Sequence, residues 1–242
     1  MTPVTILQSA GAVRPDWVSR CMTSVADWSQ RQGYHYHYIG DELFDWVTPE
    51  LRTKFQHRTP ILADLARLRW IEAELAARGG LVVWIDADTL VVDPTWYVPD
   101  SEHTIFGEEC WVQPTAEGAW RAYQSPHNAF MGFTAASPVL GFLAYLSESI
   151  IERADAAHIA PQMVGPKLLK VLNNLARFTL VPEAGAVSPE LLAEWVGDAG
   201  PATACYEQAT RLPLALVNLC SSLTLSEEAV QRAEQYMSRH GA

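Results

Sequence analysis

No two cysteines of this 242-residue sequence stand at CxxC or zinc-site spacing; Cys21, Cys110, Cys205 and Cys220 are scattered. Thiols so placed read as buried and free in a reducing compartment, which argues against a disulfide-stapled scaffold. The first residues lack the charged and apolar segments of a signal peptide, and no apolar run approaches a membrane span. The expectation is a soluble, cytoplasmic protein with no transmembrane segment. Basic residues are short: 17 Lys and Arg face 28 Asp and Glu, for a formal net charge of −11. That balance counts against nucleic acid and against a general anionic-membrane surface, both of which need basic patches. A small anionic ligand stays open, because a bound metal inverts the local field. Internal repeats, low-complexity stretches and flexible linkers are absent too, and 49% of the residues are apolar. A single domain over residues 1–242 with a sizeable core is expected.

The stretch that organises the rest is Leu81–Asp88, LVVWIDAD. Five apolar residues after Gly79-Gly80 predict a short buried strand. Extended geometry through the acidic tip would put Asp86 and Asp88 on one face and Ala87 on the other. Neighbouring carboxylates at the end of a buried strand repel each other and lose hydration, so they need a cation or a shared proton. Oxygen-only donors suit Mg²⁺ or Mn²⁺, which complete their shells with water and substrate phosphates. The plainer alternative has one aspartate capping a turn and the other solvated.

Around this stretch, Val4–Leu7 predicts a first strand ending in the polar turn Gln8-Ser9-Ala10-Gly11. Val18, Cys21, Met22, Val25 and Trp28 recur at helical spacing between Pro15 and Gly33, and Tyr34–Ile39 reads as the next strand. A parallel strand–helix–strand unit follows. His35 and His37 share a strand face with no further ligands nearby, which favours a half-exposed pair over a metal site. A helix over about Ile61–Ala77 precedes the central strand. Beyond the aspartates come Leu90–Val92, a weak strand at Thr104–Phe106 closed by Gly107, and a functional loop or flap over Glu108–Pro126. Strands at Ala129–Phe133, Phe178–Val181 and Leu214–Leu219 alternate with helices opened by Ser137-Pro138 and Gly165-Pro166. The second of these helices is expected to turn Leu168, Leu169, Leu172 and Leu175 inward. A last helix has Ser226 as N-cap, Glu227 and Glu228 in its first turn, and Val230 and Met237 inward.

Asp64 and Arg67, three residues apart, share a face of the helix before the central strand. They form either a surface ion pair of little worth or part of a cleft at the carboxyl ends of the strands, where ligands gather. There an aspartate accepts from a base or ribose hydroxyl and an arginine neutralises phosphate.

Ala63-Asp64-Leu65-Ala66-Arg67, Gly79-Gly80 and Ile85-Asp86-Ala87-Asp88 together resemble the signature of the DXD-containing sugar transferases. These include the fungal initiating mannosyltransferases, the bacterial capsular-polysaccharide glycosyltransferases and the glucosylating clostridial toxins. Their pattern is S-D-x-x-R on a helix, a glycine pair, a strand and an aspartate pair; Ala63 stands where serine is usual. Ile6-Leu7-Gln8, His127-Asn128-Ala129 and Gly165-Pro166 are similar to further family segments, in the same order.

The resemblance implies an α/β, GT-A (Rossmann-like) mixed sheet, mostly parallel and flanked by helices. Its donor-nucleotide half would lie in about 1–107 and its acceptor-side half in about 108–242. It implies transfer of a sugar from a UDP- or GDP-sugar to a glycan, lipid-linked or protein acceptor hydroxyl, with retention, assisted by Mn²⁺ or Mg²⁺. Asp88 is then the most direct metal ligand, and Asp86 acts through water or on the ribose. Gln8, Asp64 and Arg67 fall to the nucleotide. Asn128 lies near the sugar or acceptor, or else caps its strand, and an amide there can only hydrogen-bond. Asn218 or Ser221 closes the metal shell or forms a turn, while His240 falls in the tail. Glu108 and Glu109 could present a carboxylate to the sugar, and Trp111, Trp120 and Tyr123 could stack on it; solvated-loop, core or hinge roles are the alternatives.

DADTLVV is also similar to glycogenin-like and lipopolysaccharide galactosyltransferases, whose C-terminal histidine–glycine–lysine motif is missing here. A haloacid-dehalogenase-type phosphohydrolase also places DxD after a strand, but Thr89 comes one position early for it and the motif lies far from the N-terminus. A non-catalytic nucleotide- or glycan-binding module is the third reading.

Overall fold

The computed structural model describes residues 2–101, 103–197, 199–210, 213–220 and 226–240, the side chains of 238–240 excepted. Its larger sheet contains β1 (Val4–Ser9), β2 (His35–Ile39), β3 (Leu81–Ile85), β5 (Thr104–Pro114), β6 (Trp120–Thr134) and β7 (Thr179–Val181). They lie in the order β2-β1-β3-β6-β5-β7. Only β6 runs against its neighbours, so the sheet is mixed and mostly parallel, as expected. A second sheet sets β9 (Leu216–Asn218) between β4 (Thr89–Val91), antiparallel to it, and β8 (Ala184–Ala186), parallel to it.

The first strand–helix–strand unit follows directly from the sequence. Helix α1 (Asp16–Gln32) buries Trp17, Val18, Cys21, Val25 and Trp28, and Gly33 ends it in the left-handed region at φ 71°. After the short α2 (Pro49–Lys54), the long α3 (Thr59–Arg78) buries Ile61, Leu65, Leu68, Ile71 and Leu75. It also buries Asp64, Arg67 and Glu74, polar positions that need partners inside the fold. Gly80, at φ +74°, lets the chain pass Pro3: a Cβ there would sit 2.3 Å from the Pro3 carbonyl oxygen. All five residues of β3 are buried, which explains its uninterrupted apolar run.

One core joins Leu65, Leu68 and Ile71 of α3 to Trp84, Phe106 and Phe133 of the sheet, Leu143 of α4 (Leu140–Arg153) and Leu169 of α5 (Pro166–Ala176). A second joins Trp17 and Cys21 to Val217 of β9, Trp195 of α6 (Pro189–Val196), Tyr206 of α7 (Pro201–Ala209) and Met237 of α8 (Glu227–His240). Burying one such side chain fully contributes about 2 kcal/mol. Ser226 accepts from the Ala229 amide as the expected N-cap of α8.

Four expectations change. Glu108–Pro126 is not an irregular loop: β5 and β6 pair from Gly107↔His127 out to Pro114↔Trp120, a long hairpin. Gly107 marks a register shift rather than a strand end, because a Cβ there would lie 2.3 Å from His127 Nε2 and 2.5 Å from the Ala184 oxygen. In α5, Leu169 is buried but Leu175 is 82% exposed. Finally, α6, α7 and β8 occupy a stretch where the sequence predicts no element, although Ser188 caps α6 ahead of Pro189 by accepting from the Leu191 amide.

Candidate functional site

The strand carrying the motif stops at Ile85. Asp86 accepts the Thr89 amide through its backbone oxygen at 3.1 Å, so the acidic tip is a tight turn rather than an extended end. The turn, not strand alternation, brings Asp86, Ala87 and Asp88 together on the wall of one cleft of about 440 Å³. Its remaining walls include the β1–α1 connection (Ser9 to Pro15), Val18, Leu43, Phe44, Thr59, Pro60, Ala63, Arg67 and Trp84.

Asp86 belongs to a buried polar cluster. Arg67 Nη1 donates to Asp86 Oδ1 at 2.9 Å and to the Asn128 carbonyl at 3.0 Å. Arg67 Nη2 pairs with Asp64 Oδ1 at 2.9 Å, and Nε donates to the Ala63 carbonyl. The guanidinium also lies 5.1 Å from the Trp84 ring centroid. Trp84 Nε1 donates to Asp86 Oδ1 at 2.5 Å, and Asn128 Nδ2 to Asp64 Oδ1 at 2.7 Å. Asp64 and Arg67 are therefore the interior pair, not the surface one.

Burial pushes the Asp64 carboxyl up to about 6 against the pull of Arg67, with Asp86 raising it further and the Asn128 amide opposing. Asp86 is likewise raised by burial and by Asp88, while Arg67 and Trp84 hold it down. Its side chain nonetheless keeps 27% of its surface exposed, open toward the cleft that it lines.

Asp88 is held from another direction. Asn218 of β9 donates Nδ2 to Asp88 Oδ1 at 2.6 Å, and the Asp88 backbone oxygen accepts the Leu219 amide. Cys220 follows in the left-handed region at φ 51°, and its amide donates to Asn218 Oδ1 at 3.1 Å. Burial pushes the Cys220 thiol up to about 12, with Asp88 adding to the shift.

Of the expected site residues, Asp86, Asp88 and Arg67 line the cleft. Two others take different places. Gln8 is fully buried, donating Nε2 to the Asp86 carbonyl and accepting Tyr36 OH at 2.8 Å. Both ends of its amide are consumed, so it fixes the turn and does not reach a nucleotide. Asn218 turns its nitrogen to Asp88 while its oxygen takes the Cys220 amide, so in this structure it supports Asp88. Asp64 does not line the cleft and takes Arg67 and the Asn128 side-chain amide on Oδ1, while Asn128 also gives its backbone carbonyl to Arg67. Ser221 and the side chain of His240 lie outside the described residues.

Glu108, Glu109, Trp111, Trp120 and Tyr123 ride on the hairpin and do not line this cleft. Glu109 accepts from Ser125, and His37 pairs with Glu74 at 2.9 Å rather than with a metal partner. The sequence reading missed Arg14, which lines the cleft, hydrogen-bonds only Gly11 and Ser19 among the bonds seen, and sits just before α1. The arginine before Pro15, in the turn between first strand and first helix, was the available signal.

Among the described residues no three His, Cys, Asp or Glu side chains converge as a ready metal cage. The donor set is two carboxylates with oxygen donors only. It fits a hard divalent ion that leaves several positions to water and phosphate, and does not fit a structural zinc site.

No family model and no curated protein sequence matches this chain. Among solved structures it is similar to a glycosyltransferase involved in the glycosylation of the major capsid of PBCV-1, with a TM-score of 0.54 and 14% identity. The alignment covers 97% of this chain and 98% of that one. The chain thus has a mixed α/β, Rossmann-like fold that matches the fold of that glycosyltransferase.

Proposed function

We propose that this protein is a metal-assisted glycosyltransferase that moves a sugar from a nucleoside diphosphate sugar, UDP- or GDP-linked, to an acceptor hydroxyl with retention. The observation that carries the reading is the pair Asp86 and Asp88 on one cleft wall, backed by the buried Arg67, in a chain with a glycosyltransferase fold. Asp88, held by Asn218, is the residue to bind Mn²⁺ or Mg²⁺ directly. Asp86, whose Oδ1 already serves Arg67 and Trp84, acts through water or on the ribose. When bound, the ion supplies Lewis-acid stabilisation of the charge on the departing nucleotide.

The chain's own residues do the rest. Arg14 offers a cation to the diphosphate beside the N-terminus of α1, where the helix dipole also favours an anion. Leu43 and Phe44 give the cleft an apolar wall for the flat face of a base. Arg67 keeps the acidic turn in place and its charge balanced.

Thermal unfolding in the presence of nucleotides tests this. UDP or GDP should raise the melting temperature only with Mn²⁺ or Mg²⁺ present, since a ligand of the folded state stabilises by mass action. Slow hydrolysis of the matching nucleotide sugar should disappear in Asp88→Ala. The reading is lost if no nucleotide shifts the transition, or if phosphate is released from simple phosphoesters and Asp86→Asn abolishes that release.

A further inference from the structure

The net charge of −11 is not spread evenly. Residues 156–182 contain no aspartate or glutamate, yet they hold Lys167, Lys170 and Arg177 and so two of the three lysines of the chain. Helix α5 lies within this stretch. Its inner side sets Leu169 into the core with Leu168 and Leu172 against it. Its outer side is a continuous exposed stripe of Lys167, Lys170, Val171, Asn174 and Leu175, at the i, i+3, i+4, i+7, i+8 spacing of one helix face. Val171 is 59% and Leu175 82% exposed, and Arg177 stands exposed at the C-terminal end. Among the described residues Lys167, Lys170 and Arg177 enter no ion pair, as is true of Lys54, Arg58, Arg121 and Arg153 elsewhere, but only here do such cations alternate with exposed aliphatic side chains on one helix face.

We infer that α5 is an interfacial helix that docks the protein on an anionic lipid surface. Cations interleaved with bare aliphatic side chains match a bilayer boundary, where headgroup charge and acyl chains lie within one side-chain length of each other. A nucleic-acid surface would reward the lysines and leave Val171 and Leu175 facing water. The acidic bulk of the chain does not forbid the contact, because charges more than about 8 Å from the surface are screened at physiological salt. Docking also has a consequence for reach. Gly165, immediately before α5, is so close to the polar cluster that a Cβ would lie 2.6 Å from Asn128 Nδ2 and 2.7 Å from Asp64 Oδ2. A helix lying in the interface therefore begins against the buried cluster that holds Asp86, which keeps that cluster near the lipid. The inference does not rest on the sugar-transfer reading.

Cosedimentation of the full chain with lipid vesicles tests it. Vesicles of phosphatidylcholine with about one third phosphatidylglycerol should retain the protein at low salt, pure phosphatidylcholine should not, and added salt should release it. Each cation near an anionic leaflet strengthens binding about fivefold, so Lys167→Glu with Lys170→Glu should weaken it more than about twentyfold. Val171→Ser with Leu175→Ser should weaken it about tenfold through lost apolar insertion. All four side chains are exposed, so both variants should melt at the wild-type temperature, which separates lost docking from lost folding. Equal binding to neutral vesicles, no binding to anionic ones, or retention unchanged in both double variants would each overturn the inference. Retention on an anionic resin without vesicle binding would do so as well, and would assign the patch to an acidic protein.

Discussion

Asp86 and Asp88 are separated by one residue, yet they are held by different parts of the molecule. Asp86 answers to α3 and the large sheet, through a buried cation and an indole. Asp88 answers to the small sheet, through the neutral amide of Asn218, 130 residues further along the chain. The first anchorage balances charge inside the protein, so it bears mainly on stability. The second orients one carboxylate at the cleft wall, so it bears mainly on what binds there. A single acidic turn thus couples two architectural units, and each can be cut without touching the other.

The sharpest cut on the first side is Arg67→Ala, which leaves Asp64 and Asp86 buried without their cation. Loss of one partner from a buried ion cluster costs about 3–5 kcal/mol, to be read as a large fall in the urea midpoint. A midpoint close to wild type would show that the cluster is not the keystone described. On the second side, Asn218→Ala removes the support of Asp88 and should weaken Mn²⁺-dependent UDP binding by about 10- to 100-fold. Titration calorimetry would measure it, and the stability change should stay smaller than that of Arg67→Ala. If Asn218→Ala instead unfolds the chain as readily, the division between the two anchorages is false.

Gly165→Ala probes the seam between α5 and the first anchorage. The new methyl would push on Asn128 Nδ2 and Asp64 Oδ2, an overpacking worth roughly 1–3 kcal/mol. Differential scanning calorimetry should register it as a lowered transition, whereas Gly141→Ala in α4, where the new methyl would meet only Glu72 Oε1 at 3.8 Å, should not.

The smallest effect concerns the junction of the two sheets. His127 Nδ1 accepts the Ala129 amide and Nε2 donates to the Ala184 carbonyl, so the ring is neutral and has no place for a second proton. Burial holds its pKa below the usual histidine range, against the pull of the Ala184 carbonyl and Glu109. The unfolded ring takes up its proton near pH 6.5 while the folded ring does not. This group's contribution to stability is therefore complete above that pH and is lost as pH drops below it. Protonation of Asp64, whose carboxyl burial pushes up to about 6, changes stability in the opposite sense over the same range. The loss should therefore be read as the difference between wild type and His127→Gln in urea titrations at pH 7.5 and 5.5, the wild type losing more.

Local pattern made the first half of this fold readable. Helical spacing in α1, Gly33, the Gly79-Gly80 pair and the apolar run of β3 each specify their own conformation within a few residues. The aspartate pair and the Asp64–Arg67 spacing pointed to the cleft for the same reason. Failures came where a partner distant in the chain decides the outcome. Glu108–Pro126 looks structureless until β6 is laid beside β5, and Gly107 looks like a stop until His127 and Ala184 are seen to fill the space it leaves. Gln8 carries no mark in the sequence to say that Tyr36 and the Asp86 carbonyl will use up its amide. Leu175 fits the apolar stripe of α5, but the helix is rotated so that Leu169 takes the core.

The reach from Asp88 to Asn218 also sets a schedule. On the ribosome the acidic turn emerges long before β9, and at usual elongation speeds the interval is on the order of ten seconds. Throughout it Asp88 exists without the amide that will orient it, and β4 without its strand partner. The geometry of the acidic turn is thus completed late in synthesis, and a chain abandoned before residue 218 is translated would lack the amide that orients Asp88 however well its first sheet had formed.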